Sequence, residues 1–389
     1  MSRRGHVYKR GGGWTYVLDV SLPGQRRRQR SKGGYRTKRD ALAALNEAQG
    51  ALQRGLYVEP SKLSVKTFLL DHWLPAVEAG LRHSTLQGYR GAIRTYVISR
   101  LGETRLQALT PDQLNAFYGE LLRKGRKDGK SGLSPKTVHN VHVMLHKALH
   151  DAVRWGYLPR NVAEFSDPPR QTSSGKTMRT WTPEELRSFF AFVESDALYA
   201  AWVLSASTGM RRGEVLGLRW QDIDFDRRRL AIRQTIISID YQVEISEPKT
   251  ARGRRSVALD TGTVTALKAH RAAQNQEKLK LGEAYQDMGL VFCRADGTPV
   301  HPDRFTQMFD KHVKASGLPR IRLHDLRHTH ATLALAAGIH PKVVSERLGH
   351  STVAFTMDVY SHAIPSMEAE AAETIANLVR GSNPVQGGR

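Results

Sequence analysis

Leu323-His-Asp-Leu-Arg-His-Thr-His-Ala-Thr-Leu333 is the stretch on which the reading of this 389-residue sequence turns. It opens a helix expected to end near Gly338, with His324 and Arg327 three apart at its start. His324 and His328 also have a helical spacing that could suit a metal, but no zinc-type carboxylate motif accompanies them, so no metal is expected. Just downstream, Leu348-Gly-His-Ser351 ends a helix begun by Pro341 and carries His350. A short helical run, Val353 to Val359, then delivers Tyr360.

Further upstream lies Ser207-Thr-Gly-Met-Arg-Arg-Gly-Glu-Val-Leu-Gly-Leu-Arg-Trp220. Gly209 permits a tight turn, and Arg211 and Glu214, three apart, share a helix face. An arginine held by an acid is a preorganised fork for phosphate oxygens, although the same pair alone is also an ordinary intrahelical ion pair. Two strands are expected next, Leu230–Ile237 and Arg254–Leu259. Between them, Ser246-Glu-Pro-Lys-Thr-Ala-Arg-Gly253 sets Lys249 in or beside a turn, where a lysine can reach a neighbouring cleft or simply be solvated.

The length suits two or three domains better than one. Against 37 Asp+Glu stand 59 Lys+Arg, a formal net charge of +22, which favours a polyanionic partner because each phosphate contact releases condensed counterions. No stretch resembles a signal peptide or a membrane span. Cys293 is the single cysteine, so no internal disulfide is expected and a reducing cytoplasm fits.

The segment from Met1 to Pro60 holds 13 Lys+Arg against 4 Asp+Glu. Trp14–Val20 alternates as a strand after the glycine turn Gly11–Gly13, Tyr35-Arg-Thr adds a short strand, and Thr37 caps a helix from Lys38 to about Gly50. A small basic sheet backed by one helix can enter a DNA major groove, with Arg26, Arg27, Arg28, Arg30 and Lys32 as the expected contacts. A solvated basic surface is the plainer alternative.

From Ser61 to Phe165 the sequence reads as all-helical. Val65, Phe68, Leu69, Trp73 and Val77 repeat at helical spacing. Ser84 with Gln87 and Thr110 with Gln113 read as capping boxes, and Ser134-Pro135 starts another helix. That helix carries His139, His142, His146 and His150. No carboxylate or cysteine joins them, so a basic, partly DNA-facing helix is expected in preference to a metal site. Residues 166–177, rich in breakers, read as a linker, and Thr182-Pro-Glu-Glu185 restarts helix.

In this order and at these separations, the clusters of the third segment resemble the tyrosine recombinases, or phage integrase family. The matching positions are the first Arg of Thr-Gly-Met-Arg, the His-x-x-Arg pair, the Leu-Gly-His-Ser turn and the Tyr after it. The likeness covers about Met178 to His362. The two upstream segments are similar, in order, size and charge, to the family's arm-site-binding and core-site-binding domains.

The resemblance implies a multi-domain, mainly α protein with small β-sheets. Its parts would be an arm-type DNA-binding domain (1–60), a helical core-site domain (61–165), a linker (166–177), an α+β catalytic domain with a C-terminal exchange helix (178–380) and a disordered tail (381–389). Tyr360 would attack the scissile phosphate to give a 3′-phosphotyrosyl link. Arg211 and Arg327 would hold the non-bridging oxygens, and Lys249 would protonate the departing 5′ oxygen. His324 would accept the tyrosine proton, His350 would donate a hydrogen bond to the phosphate, and Glu214 would orient the arginines.

No metal or ATP is implied, because the phosphotyrosine conserves the bond energy. Implied partners are double-stranded DNA attachment sites and a homo-tetramer on DNA, with an accessory DNA-bending protein and an excision factor; no membrane is involved. The expected setting is the cytoplasm, at the bacterial nucleoid, and the expected role is integration or excision of a mobile element such as a prophage. Met367, Ala371, Ile375 and Leu378 mark one face of a last helix to about Arg380, which would dock on a neighbouring subunit or on its own domain. The alternatives are a type IB topoisomerase, which relaxes DNA by the same chemistry, and a non-catalytic DNA-binding regulator, which leaves Tyr360, Lys249 and both arginines without a purpose.

Overall fold

The computed structural model describes residues 5–21, 26–54, 57–126, 128–170, 179–248, 253–350, 352–360 and 367–380, with backbone only for 367–371. Lys249, Ser351 and the tail 381–389 lie outside the described residues. The chain divides into two compact units, Met1–Ser174 and Gly175–Arg389.

The first unit opens with an antiparallel sheet of β1 (Gly5–Arg10), β2 (Gly13–Asp19) and β3 (Gln29–Tyr35), in that order. Alternation along β2 buries Tyr16 and Leu18, which pack with Leu45 of α1 (Lys38–Gln53). Thr37 caps α1 by accepting from the Asp40 amide at 3.1 Å. The third strand lies earlier than expected. Residues 29–34 belong to it, and Gly33 is tolerated mid-strand because a Cβ there would meet Thr15 Oγ1 at 2.7 Å. Nor did the apolar pattern of the sequence mark β1, whose residues are mostly exposed.

The rest of this unit is helical. Its runs are α2 (65–78) and α3 (83–101), each with a π-helical middle, then α4 (Pro111–Lys124) and α5 (Pro135–Arg154). Their apolar faces meet in one core that includes Phe68, Trp73, Phe117, Leu121 and Leu145. The Thr110–Gln113 capping box and the Ser134 cap form as the sequence implies. Ser84 with Gln87 does not form one. The helix starts at His83 after an Arg82 cap, so Ser84 falls inside it, and Gln87 turns to the His83 ring at 3.2 Å.

The second unit wraps helices around small sheets. Thr182 and Glu185 form a capping box at the start of α6 (Pro183–Phe192). After α7 (Tyr199–Thr208) and α8 (Arg212–Leu216) come β4 (Ile223–Asp224) and β5 (Arg229–Ala231). The hairpin β6 (Thr235–Ile239) and β7 (Gln242–Ser246) follows, and β8 (Ser256–Ala258) pairs with β5. The single strand expected over Leu230–Ile237 is therefore two, in different sheets. The chain leaves the first at 232–234, where the Gln234 side-chain amide donates to the Gly217 carbonyl at 3.0 Å.

The hairpin turns on Asp240 and Tyr241, both at positive φ (48° and 67°). Neither is glycine, so the usual hairpin signal is missing from the sequence. The helices α9 (Thr261–Leu281), α10 (Pro302–Ala315), α11 (Leu323–Ala336), α12 (Pro341–Leu348), α13 (Val353–Tyr360) and α14 (Met367–Arg380) complete the unit. On α14, Ile375, Leu378 and Val379 are exposed. The core holds Trp181, Phe189, Trp202, Phe305 and Phe309, with Trp202 stacked on Phe305 at 4.4 Å between ring centroids.

Candidate active site

Two glycine turns carry the site. Gly209 ends α7 and Gly349 ends α12, both in the left-handed region (φ 64° and 68°). A Cβ on Gly209 would also meet Leu348 at 2.5 Å and His330 at 3.0 Å, so the two turns pack too closely for any side chain there. Arg327, 3% exposed, spans them. One Nη donates to the Gly209 carbonyl at 2.6 Å and the other to the Leu348 carbonyl at 2.7 Å. Burial, and then Arg211, push its pKa down to about 9, still high enough to keep the guanidinium charged near neutral pH.

Arg211 is the N-cap of α8, one position ahead of the helix proper, and half-exposed. It donates to Glu214 at 2.8 Å and to the Gly349 carbonyl at 3.2 Å. Glu214 is buried, and its carboxylate also receives both Nη groups of Arg255, at 3.1 and 2.9 Å. Burial alone would raise the Glu214 pKa; the Arg255 hydrogen bonds and the charges of Arg255 and Arg211 outweigh it and hold the group below its usual value. Arg255 in turn donates through Nε to the Arg347 carbonyl at 2.7 Å, tying this pair to α12. Helix α8 is seated by close backbone packing, since a Cβ on Gly213 would meet the Ile236 carbonyl of β6 at 2.5 Å.

Tyr360 ends α13 and is 1% exposed, packed with Ala331, Leu335, Val344 and Leu348. Its hydroxyl lies 2.6 Å from Nδ1 of His328. The His350 ring lies nearly parallel to the Tyr360 ring at 6.5 Å, held by a 2.8 Å hydrogen bond between its Nδ1 and Thr356 Oγ1. Burial raises the Tyr360 pKa to about 12 against the opposing pull of Arg327. The phenol is thus protonated at neutral pH and needs an acceptor before it can attack anything.

His324 occupies the first turn of α11, exposed, with its ring set edge-on to His328 at 4.9 Å. So Arg211, Glu214, Arg327, His350 and Tyr360 come together, with His324 beside them through His328. Two further residues of the site, Arg255 and His328, stand out in no sequence motif. Arg255 sits at the entrance to an expected strand, and the spacing of His328 from His324 points only to a metal pair. Among the described residues no group of three or more His, Cys, Asp or Glu could hold a metal ion.

Of the basic residues singled out near the N-terminus, Arg26, Arg27, Arg28, Arg30 and Lys32 are all exposed, the last two on β3. They are not all unengaged. Arg30 forks onto Glu59 at 3.1 and 3.0 Å, Arg28 reaches the same carboxylate at 3.1 Å, and Arg27 lies 3.4 Å from Asp19.

Two stability consequences follow from the site's burial. His328, His330 and His350, and His142 in the first unit, are each pushed from 6.5 to about 4, mainly by burial. Between those values the unfolded chain binds protons that the native chain refuses, so stability is fully present above about pH 6.5 and drains away towards about pH 4. The melting midpoint in calorimetry is expected several degrees lower at about pH 5 than at about pH 7.5. An equal or higher midpoint at the lower pH would contradict these burials.

Second, Arg255→Met leaves the buried Glu214 carboxylate with only the half-exposed Arg211 as its charge partner. A cost of about 3 kcal/mol in urea unfolding is expected. A loss under about 0.5 kcal/mol, in the range of an exposed pair, would contradict a buried role for Arg255.

Residues 179–366 match the phage integrase family, 6–52 an arm DNA-binding domain, and 67–122 the N-terminal SAM-like domain of phage integrases. A tyrosine recombinase XerC-like protein of Caldanaerobacter subterraneus is 29% identical over 361 residues, covering 88% of this chain and 90% of that one. The ICEBs1 integrase of Bacillus subtilis is 28% identical over 374 residues, covering 94% and 97%. Among solved structures, the Tn1549 transposon integrase in complex with transposon right end DNA superposes with a TM-score of 0.66 at 23% identity, covering 81% of this chain and all of that one (100%). A lambda integrase dimer bound to a core site gives 0.54 at 18%, covering 91% and 94%.

Proposed function

Since this chain belongs to the phage integrase family of tyrosine recombinases, we propose that Tyr360 is the nucleophile with which it cuts and rejoins DNA. The enzyme is a site-specific recombinase of the mobile-element integrase type. The observation that carries the assignment of Tyr360 is its burial between two imidazoles beside Arg327, with its hydroxyl already hydrogen-bonded.

In this reading Tyr360 Oη attacks the scissile phosphorus and forms a 3′-phosphotyrosyl link while the bond to the 5′ oxygen breaks. Arg211 and Arg327 hold the non-bridging oxygens, where charge builds as phosphorus becomes five-coordinate. Both are preorganised, Arg327 by two backbone carbonyls and Arg211 by Glu214. His350 donates a hydrogen bond to the phosphate; His324, expected from the sequence to accept the tyrosine proton, lies against His328 and holds no hydrogen bond to Tyr360 among the described contacts. Lys249 protonates the leaving 5′ oxygen, in keeping with its place after the β6–β7 hairpin in sequence. No metal or ATP enters this scheme.

Residues 1–60 bind arm-type DNA sites through Arg26, Arg27, Arg28, Arg30 and Lys32, residues 61–165 bind the core site, and 178–380 carry the chemistry. Recombination proceeds in a homo-tetramer on DNA, assisted by a DNA-bending protein and an excision factor, in the cytoplasm at the nucleoid. Among the described residues no helix is long and apolar enough to cross a membrane. The exposed Ile375, Leu378 and Val379 of α14 fit docking on a neighbouring subunit.

A plasmid carrying two copies of the attachment site tests the whole reading. Inversion or deletion of the intervening segment is expected. Loss of supercoils with no exchanged product would favour a type IB topoisomerase instead.

A further inference from the structure

We propose that His328, one helical turn beyond His324, takes the hydroxyl proton of Tyr360 during attack and gives it back at religation. The inference rests on the reading of Tyr360 as the nucleophile.

The geometry separates the two histidines. Nδ1 of His328 lies 2.6 Å from Tyr360 Oη, within direct proton-transfer reach, and it is the one hydrogen-bond partner of that hydroxyl among the described residues. The His324 ring stands perpendicular to that of His328, and His324 holds no hydrogen bond to Tyr360 among the described contacts. Both histidines lie on α11, so a helix packed against α13 fixes the distance without any loop movement.

The charges around His328 favour an uncharged acceptor at rest and tolerate a charged one in transit. From its own helix and the residue before it face His324, Asp325, Arg327 and Arg322; from the other elements face Tyr360 and His350. Burial first, then His324, keep the imidazole neutral at physiological pH, with its pKa pushed down to about 4. In the neutral tautomer that carries its hydrogen on Nε2, the one assigned here to His328, Nδ1 presents a lone pair to the protonated phenol. Asp325, buried and clamped by Arg322 at 2.8 and 3.0 Å, is the negative charge that steadies the imidazolium once it forms.

The step balances. Tyr360 Oη bonds to phosphorus, its proton passes to His328 Nδ1, the bond from phosphorus to the 5′ oxygen breaks, and that oxygen takes a proton from Lys249. Religation reverses each transfer. The 5′ hydroxyl attacks phosphorus and returns its proton to the lysine, while the leaving phenolate recovers its proton from His328.

The test uses the full chain and a nicked duplex. Its sequence is taken from the DNA that the wild-type chain captures covalently out of a fragment spanning its own gene and flanks. Single-turnover cleavage is followed from about pH 6 to about pH 9 for wild type, His328→Asn and His324→Asn. Asparagine can keep a polar atom near Nδ1 but cannot carry the proton.

For His328→Asn a cleavage rate about 10²- to 10³-fold lower is expected, with DNA affinity and melting midpoint near wild type. That rate should climb about tenfold per pH unit, because only the small tyrosinate fraction reacts, while wild type stays level. His324→Asn should keep the level profile whatever its rate. A wild-type rate in His328→Asn, or a slow rate with a level profile, would overturn the inference and leave Tyr360 as nucleophile untouched. No covalent product from wild type on any part of the fragment would overturn both.

Discussion

Tyr360→Phe is expected to bind attachment-site DNA as tightly as wild type and to form no covalent product at all. The substitution removes one oxygen and leaves the ring, so packing against Ala331, Leu335, Val344 and Leu348 survives. What is lost inside the protein is one hydrogen bond to His328, worth about 1 kcal/mol, too little to unfold a domain of this size. What is lost chemically is the only atom of residue 360 able to bond to phosphorus. Band-shift and denaturing gels on the same samples separate the two effects. Retained binding with no adduct is the expected pair of results. An adduct in the variant would mean that another side chain attacks.

Arg327→Ala is expected to cost nearly as much, with strand cleavage slowed by about 10³-fold or more. Its guanidinium both supplies charge and bridges the Gly209 and Leu348 carbonyls. Removing it leaves two inward-facing acceptors unpaired and loosens the turns that aim Arg211 and His350. Stability should therefore fall as well, and Arg327→Lys is the informative companion. Lysine keeps a positive charge but cannot donate to two carbonyls in a fixed plane. If positioning matters as much as charge, Arg327→Lys stays folded and still loses at least about 10²-fold in single-turnover cleavage. A lysine variant within a few-fold of wild type would reduce Arg327 to a source of charge.

Much of this site was legible in the sequence because it lies in short runs with strong local rules. Gly209 and Gly349 mark helix ends, the three-residue spacing of His324 and Arg327 sits at the start of a helix that stops close to Gly338, and Thr182 and Thr110 announce their helices through capping. What could not be read depends on contacts between distant segments. Arg255 and Glu214 are 41 residues apart, and nothing local distinguishes a buried arginine that grips a carboxylate from a solvated one. His328 and Tyr360 are 32 apart, and their hydrogen bond exists only because α11 and α13 pack together.

The fold shows the same division. The β6–β7 hairpin leaves no turn signal in the sequence because Asp240 and Tyr241 take up positive φ without glycine. The break after Ala231 leaves none either, because apolar residues continue on both sides of it. In the first unit, β1 and most of β3 are exposed and polar, so apolar alternation had little to mark. Their pairing with β2 identifies them.

The central claim is that the chain breaks DNA by joining the 3′ phosphate to Tyr360. The most direct measurement is to trap wild type on nicked DNA from the flank of its own gene, digest protein and DNA, and locate the nucleotide-bearing peptide by mass spectrometry. The expected result is a nucleotide attached through its 3′ phosphate to the peptide containing Tyr360. A nucleotide on any other residue, or one attached through a 5′ phosphate, would contradict the account.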